Sequence, residues 1–150
     1  MNNTSTEQLA DLIARKHACL LQLRDLGLQQ LRLVEEGEMG ELLKVLSAKQ
    51  YLINLLQELE RSLDPYRHED PESRIWRSPH DRARCAQQSE ECQTLLDEVL
   101  KQEKLSETSL TVRRDEVARR LQGVHSARQA RSAYAQQSGP AASLLDISSH

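Results

Sequence analysis

From Leu9 to Val34 the apolar residues return every three, four or seven positions: Leu9, Leu12, Ile13, Cys19, Leu20, Leu23, Leu26, Leu31 and Val34. That spacing lays them along one broad helical face, which Leu21 and Leu28 widen. The pattern predicts a first helix over about 5–36, opened by a capping box in which Thr4 accepts from the backbone N–H of Glu7 and Glu7 reaches back. A second run, Met39, Leu42, Leu43, Leu46, Ile53, Leu56, Leu59 and Leu63, predicts a helix over about 38–63 that stops at Asp64-Pro65-Tyr66. Between the runs Gly37 falls where a helix C′ residue takes positive φ without a Cβ clash. So short a connection folds the two helices into an antiparallel hairpin. Gly40, in the first turn of the second helix, costs about 1 kcal/mol of helix propensity relative to alanine. It marks either a frayed turn or a close crossing of the two backbones.

Residues 64 to 80, DPYRHEDPESRIWRSPH, hold three of the four prolines and no sustained period, which predicts a loop over 64–78. Ile75 and Trp76 are expected to fold back over the end of the hairpin, since a lone tryptophan is usually an anchor. Ser78 as N-cap, Pro79 at the first helical position and Asp81 in the first turn then open a third helix over about 79–134. Along it Cys85, Cys92, Leu96, Val99, Leu110, Val117, Leu121 and Val124 fall near one stripe. A continuous helix of that span is about 80 Å long against about 40 Å for each hairpin helix, at 1.5 Å per residue. Its second half, beyond the polar KQEKLSETS, therefore needs a partner, a bend or solvent. The fold class expected is all-α: an antiparallel hairpin plus a long third helix, with residues 1–135 helical and 136–150 a flexible tail.

Composition agrees with this outline. In 150 residues there is no phenylalanine, aromatics are 3% and charged residues 29%, the make-up of long helices or coiled coil in one domain. The net charge of −3 is too small to imply a polyanionic or polycationic partner for the whole molecule. Segments differ: Glu35 to Glu60 carries six acids and two lysines, whereas Thr111 to Ala135 carries six arginines and two acids. Three cysteines without a CxxC pair fit a reducing compartment, so a cytoplasmic location is expected. The first residues, MNNTSTEQLADL, show neither a basic nor an apolar leader segment, and no run reaches the roughly 18 apolar residues of a membrane span.

Candidate chemistry is sparse. The histidines His17, His68, His80, His125 and His150 are scattered, and Cys85 and Cys92 stand about 10 Å apart along a helix, so no metal site is expected. Phosphate-binding and nucleophile-elbow motifs are missing, so neither an enzyme nor a cofactor is expected. The basic RRDEVARRLQGVHSARQARSAY is interrupted by Asp115 and Glu116 and has no interleaved aromatics, which speaks against nucleic acid. Its apolar face also lacks the Trp, Phe and dense Leu of a membrane-surface helix.

The order of signals, a leucine-rich first helix, then EEGEMGELLKVLSAKQYLINLLQELE, a loop, a long third helix and ARQARSAYAQQSGPAASLLDIS, resembles the FlgN-type flagellar export chaperones. The resemblance spans most of the chain. It implies a cytoplasmic chaperone of the flagellar hook-associated proteins, which form the hook–filament junction, before type III export. Further partners on this view are the export gate or the export ATPase complex, and the chain would be a monomer or weak homodimer. It further implies a client-binding surface on the second half of the third helix: Leu110, Val117, Leu121 and Val124 as groove floor, Arg113, Arg114, Arg120 and Arg128 as rim. Tyr134, Leu144, Leu145 and Ile147 become candidate tail contacts. Two alternatives stay open: a homo-oligomeric coiled-coil scaffold or adaptor using the same stripe, and a FliT-like chaperone of the filament cap. For the four apolar positions, ordinary intramolecular core also stays open. The loop around Trp76 has no counterpart role in the family.

Overall fold

The computed structural model describes residues 3–137. Three helices account for nearly all of them: α1 Asn3–Glu36, α2 Met39–Arg67 and α3 Pro79–Gln137, with a 3-10 turn at Pro71–Ser73. The chain divides between Ser109 and Leu110 into two units. The first holds α1, α2 and the start of α3; the second is the remainder of α3.

The hairpin closes as its sequence predicts. Gly37 takes a φ of 73°, its N–H reaches Val34 O and the Glu38 N–H reaches Leu33 O at 3.0 Å, the paired bonds of a Schellman ending. At the other end of the unit, Ser78 Oγ accepts from the Asp81 N–H at 3.1 Å and starts α3. Thr4 lies inside α1 and does not cap it. Thr6, two residues on, is buried and its hydroxyl donates to Ile75 O at 2.7 Å, tying the start of α1 to the loop.

Pro65 does not end α2. The helix runs one turn further because Tyr66 packs against the cluster of Leu9, Ile13, Leu63 and Cys85, while Arg67 bonds Glu60 and Asp64. These contacts offset the lost backbone bond that a proline imposes. The loop is correspondingly short and internally bonded, with Asp70 accepting from the Glu72 N–H and Arg74 donating to Tyr66 O at 2.7 Å. Trp76 closes this end by packing on the same cluster.

Buried positions recur mostly at spacings of three, four and seven on each helix, with Cys19 beside Leu20 and Leu33 beside Val34 widening the stripe on α1. On α2 they are Leu42, Val45, Lys49, Leu52, Leu59 and Leu63. Those on α1 include Thr6, Leu9, Ile13, Leu20, Leu23, Gln30 and Val34; those on the first half of α3 are Cys85, Cys92, Leu95, Gln102 and Ser106. This is the seam of a coiled coil, where a and d positions of neighbouring helices interlock. Met39, Leu43 and Leu46, expected in the core, are exposed, because the seam passes through Leu42 and Val45 on the adjoining edge of the helix. The central apolar layer joins Cys19, Leu20 and Leu23 to Leu52, Leu59, Cys92 and Leu95. Full burial of Leu20 and Leu23 contributes about 1.5–3 kcal/mol each. The three cysteines are free and buried, and burial pushes each thiol above its ordinary value, so they act as small core residues.

A polar layer follows the apolar one. Lys49 donates to Gln30 Oε1 at 2.6 Å and pairs with Glu103, joining all three helices. Beside it Gln102 donates to Arg24 O at 3.1 Å, over Gly27. A Cβ on Gly27 would stand 2.8 Å from Gln102 Cδ, so the close helix approach lies at Gly27. Gly40 has nothing within 4 Å of a built Cβ, which removes the expectation of a backbone crossing there.

The two glycines should therefore respond differently to alanine. Gly40→Ala is expected to stabilise by about 0.5–1 kcal/mol through helix propensity alone. Gly27→Ala gains the same propensity but displaces the Gln102 carboxamide, and the net is expected to be neutral or destabilising. In a Gln102→Ala background the gain should return, at about 1 kcal/mol. Urea midpoints of the four variants check this; a Gly27→Ala chain as stabilised as Gly40→Ala would contradict it.

Candidate client-binding surface

The second unit continues α3 with no interruption at KQEKLSETS, and the helix of 59 residues is unbroken to Gln137. Its character changes at the unit boundary. Leu110 and Arg113 are half-buried, whereas Val117, Leu121 and Val124 are exposed at 52%, 64% and 52%. These three side chains are not buried by the rest of their own unit. Arg114, Arg120 and Arg128 are exposed, as is Tyr134. Leu144, Leu145 and Ile147 lie outside the described residues.

At about 100° per residue, Leu110, Val117, Leu121 and Val124 share an arc of about 60° of the helix circumference. Arg113 and Arg120 border it on one side and Arg114 on the other, Arg128 falls on the line itself, and Arg131, which sequence reasoning did not single out although its spacing of seven from Val124 was available, stands beside Arg113. Among the described ion pairs, the six arginines of this segment make one, between Arg114 and its neighbour Asp115 at 3.6 Å. An uncovered apolar line bordered by cations can do no bond chemistry; it can dock a helix.

The cavities of the first unit offer less. One of about 370 Å³ lies beside Trp76 with Leu9, Ile13, Leu63 and Cys85 on its apolar side. Its cations are already matched: Lys16 with Glu60, Arg67 with Glu60 and Asp64, Arg74 with Glu69, Arg82 with Glu72. Burial alone would raise the Glu60 carboxyl, but hydrogen bonds from Lys16 and Arg67 hold it below the ordinary 4.5. The rim is thus electrically balanced. Among the described residues no group of three or more His, Cys, Asp or Glu converges, and no helix is long and apolar enough to cross a membrane.

The fold defines an all-α protein, a helical hairpin joined by a long third helix that carries an uncovered basic-apolar face. No family model, curated protein or solved structure matches the chain.

Proposed function

We propose that this protein is a cytoplasmic holding chaperone that docks a helical segment of a client on the second half of α3 and keeps it from aggregating until export. The observation that carries the reading is the exposure of Val117, Leu121 and Val124 along one line of a helix whose first half contributes Cys85, Cys92 and Leu95 to the bundle core. An amphipathic client helix would cover that line in the helix-in-groove mode, and the arginines would register it. The resemblance names the clients: the flagellar hook-associated proteins, with release at the export gate or ATPase complex. Holding needs no cofactor, and the balanced cavity beside Trp76 has no assigned part in it.

A homo-oligomeric scaffold using the same line is disfavoured by its own charge. A parallel in-register pair sets Arg114 and Arg128 against their copies, and an antiparallel pair centred on Leu121 sets Arg114 against Arg128. Like charges so placed are destabilising. Light scattering of the purified chain, alone and with the hook-associated proteins of the same genome, tests the reading. A monomer that forms a complex only when residues 123 to 150 are present is expected. A tight dimer that ignores those proteins would sink the chaperone and leave the scaffold.

A further inference from the structure

The arginines of the second unit are not spread as on a solvated helix. At about 100° per residue, Arg113, Arg114, Arg120, Arg128 and Arg131 fall within the same arc of about 120° that holds the apolar line. The sixth, Arg119, lies on the opposite side. The two acids, Asp115 and Glu116, lie outside the arc, so four positive charges border the apolar line and a fifth, Arg128, stands in it, without a carboxylate among them. A solvated helix tends instead to intersperse opposite charges at i,i+4. The flank opposite Arg113, Arg120 and Arg131 carries Arg114 and, with it, Ala118, His125 and Ser132, residues that leave a neighbouring helix room to approach.

We propose that the occupant of this face is an acidic amphipathic helix: leucine-like residues on its seam and glutamate or aspartate beside them, facing Arg113, Arg120 and Arg128. The inference rests on the docking reading above and adds the partner's chemistry to it. Charge complementarity selects this occupant over the other two that fit a basic helix. A second copy of the face brings arginine to arginine. A nucleic acid would leave Val117, Leu121 and Val124 against phosphates, and the segment offers no aromatic between Thr111 and Ala133 for base stacking. Arginine suits a carboxylate partner because its planar fork can take both oxygens at once.

The test uses the full chain and three labelled synthetic helices about four heptads long, with the same leucine seam and with glutamate, glutamine or lysine on both flanks. Binding is read by fluorescence anisotropy. The glutamate helix is expected to bind about tenfold or more tighter than the glutamine helix at about 50 mM salt, with the gap closing towards about 0.5 M. The lysine helix should not bind. In the chain carrying Arg113→Glu, Arg120→Glu and Arg128→Glu the order should reverse, whereas Arg119→Glu should change none of the affinities. Equal affinity for the glutamate and glutamine helices overturns the acidic partner and leaves the docking reading standing. No binding by any helix overturns both. A single-stranded oligonucleotide that displaces the glutamate helix at lower concentration overturns the assignment in favour of nucleic acid.

Discussion

Replacing Lys49 with methionine is expected to raise the urea midpoint of the chain, and replacing it with alanine to lower it. Lys49 sits at a core position of α2, only 4% exposed, and burial pushes its ammonium below the ordinary 10.5. Its partners are unequal: Gln30 is buried, but Glu103 is about half exposed and can return to water. Methionine keeps the length of the side chain and removes the cost of a buried ammonium; set against that gain is the about 1–3 kcal/mol of leaving Gln30 Oε1 buried without its donor, so the rise is a small one. Alanine instead opens a cavity at the junction of three helices and is expected to cost about 2–4 kcal/mol. The two variants should thus differ by more than either differs from wild type.

Alkaline pH gives a second readout. A lysine whose value is lowered by folding binds its proton more weakly in the native state, so stability rises with pH as the native group loses its proton before the unfolded one. The penalty is full below the lowered native value and is lost as pH rises from there to well above 10.5, where both states are neutral. The advantage of Lys49→Met over wild type should therefore shrink as 10.5 is approached. A constant advantage across that range would show that Lys49 is not desolvated.

The second large effect is on binding. Val117→Asn combined with Leu121→Asn is expected to weaken the proposed client complex about a hundredfold or more, since the centre of a docked helix carries most of the energy. Both side chains are exposed in the free chain, so the urea midpoint should move by no more than about 0.5 kcal/mol. Neutral asparagine leaves the arginine charge untouched, which separates this test from the charge swaps. A complex of unchanged affinity would place the client elsewhere.

Much of the fold is legible because local rules suffice for it. Gly37 ends α1 and Ser78 opens α3 through bonds made within a few residues, and the leucine spacing gives three helices before any contact is known. The end of α2 was not legible, because Tyr66 and Arg67 extend it past Pro65 through contacts to α1 and to earlier turns. On the candidate surface, the apolar line and its arginines can be read from spacing, but whether the line is core or exposed cannot.

The sequence by itself determined the number of helices, the hairpin, and the face of α3 on which apolar residues and arginines gather. Only the tertiary structure decided which edge of each leucine-rich face is buried. A broad apolar face allows several seams, and the neighbouring helices choose one. They choose a line that takes in Gly27, Gln30, Lys49, Gln102 and Ser106, residues that hydropathy assigns to solvent, and leaves Met39, Leu43 and Leu46 outside. Lys49 and Gln30 can be buried there because they and Glu103 satisfy one another across three helices, a condition that exists only once the helices have met.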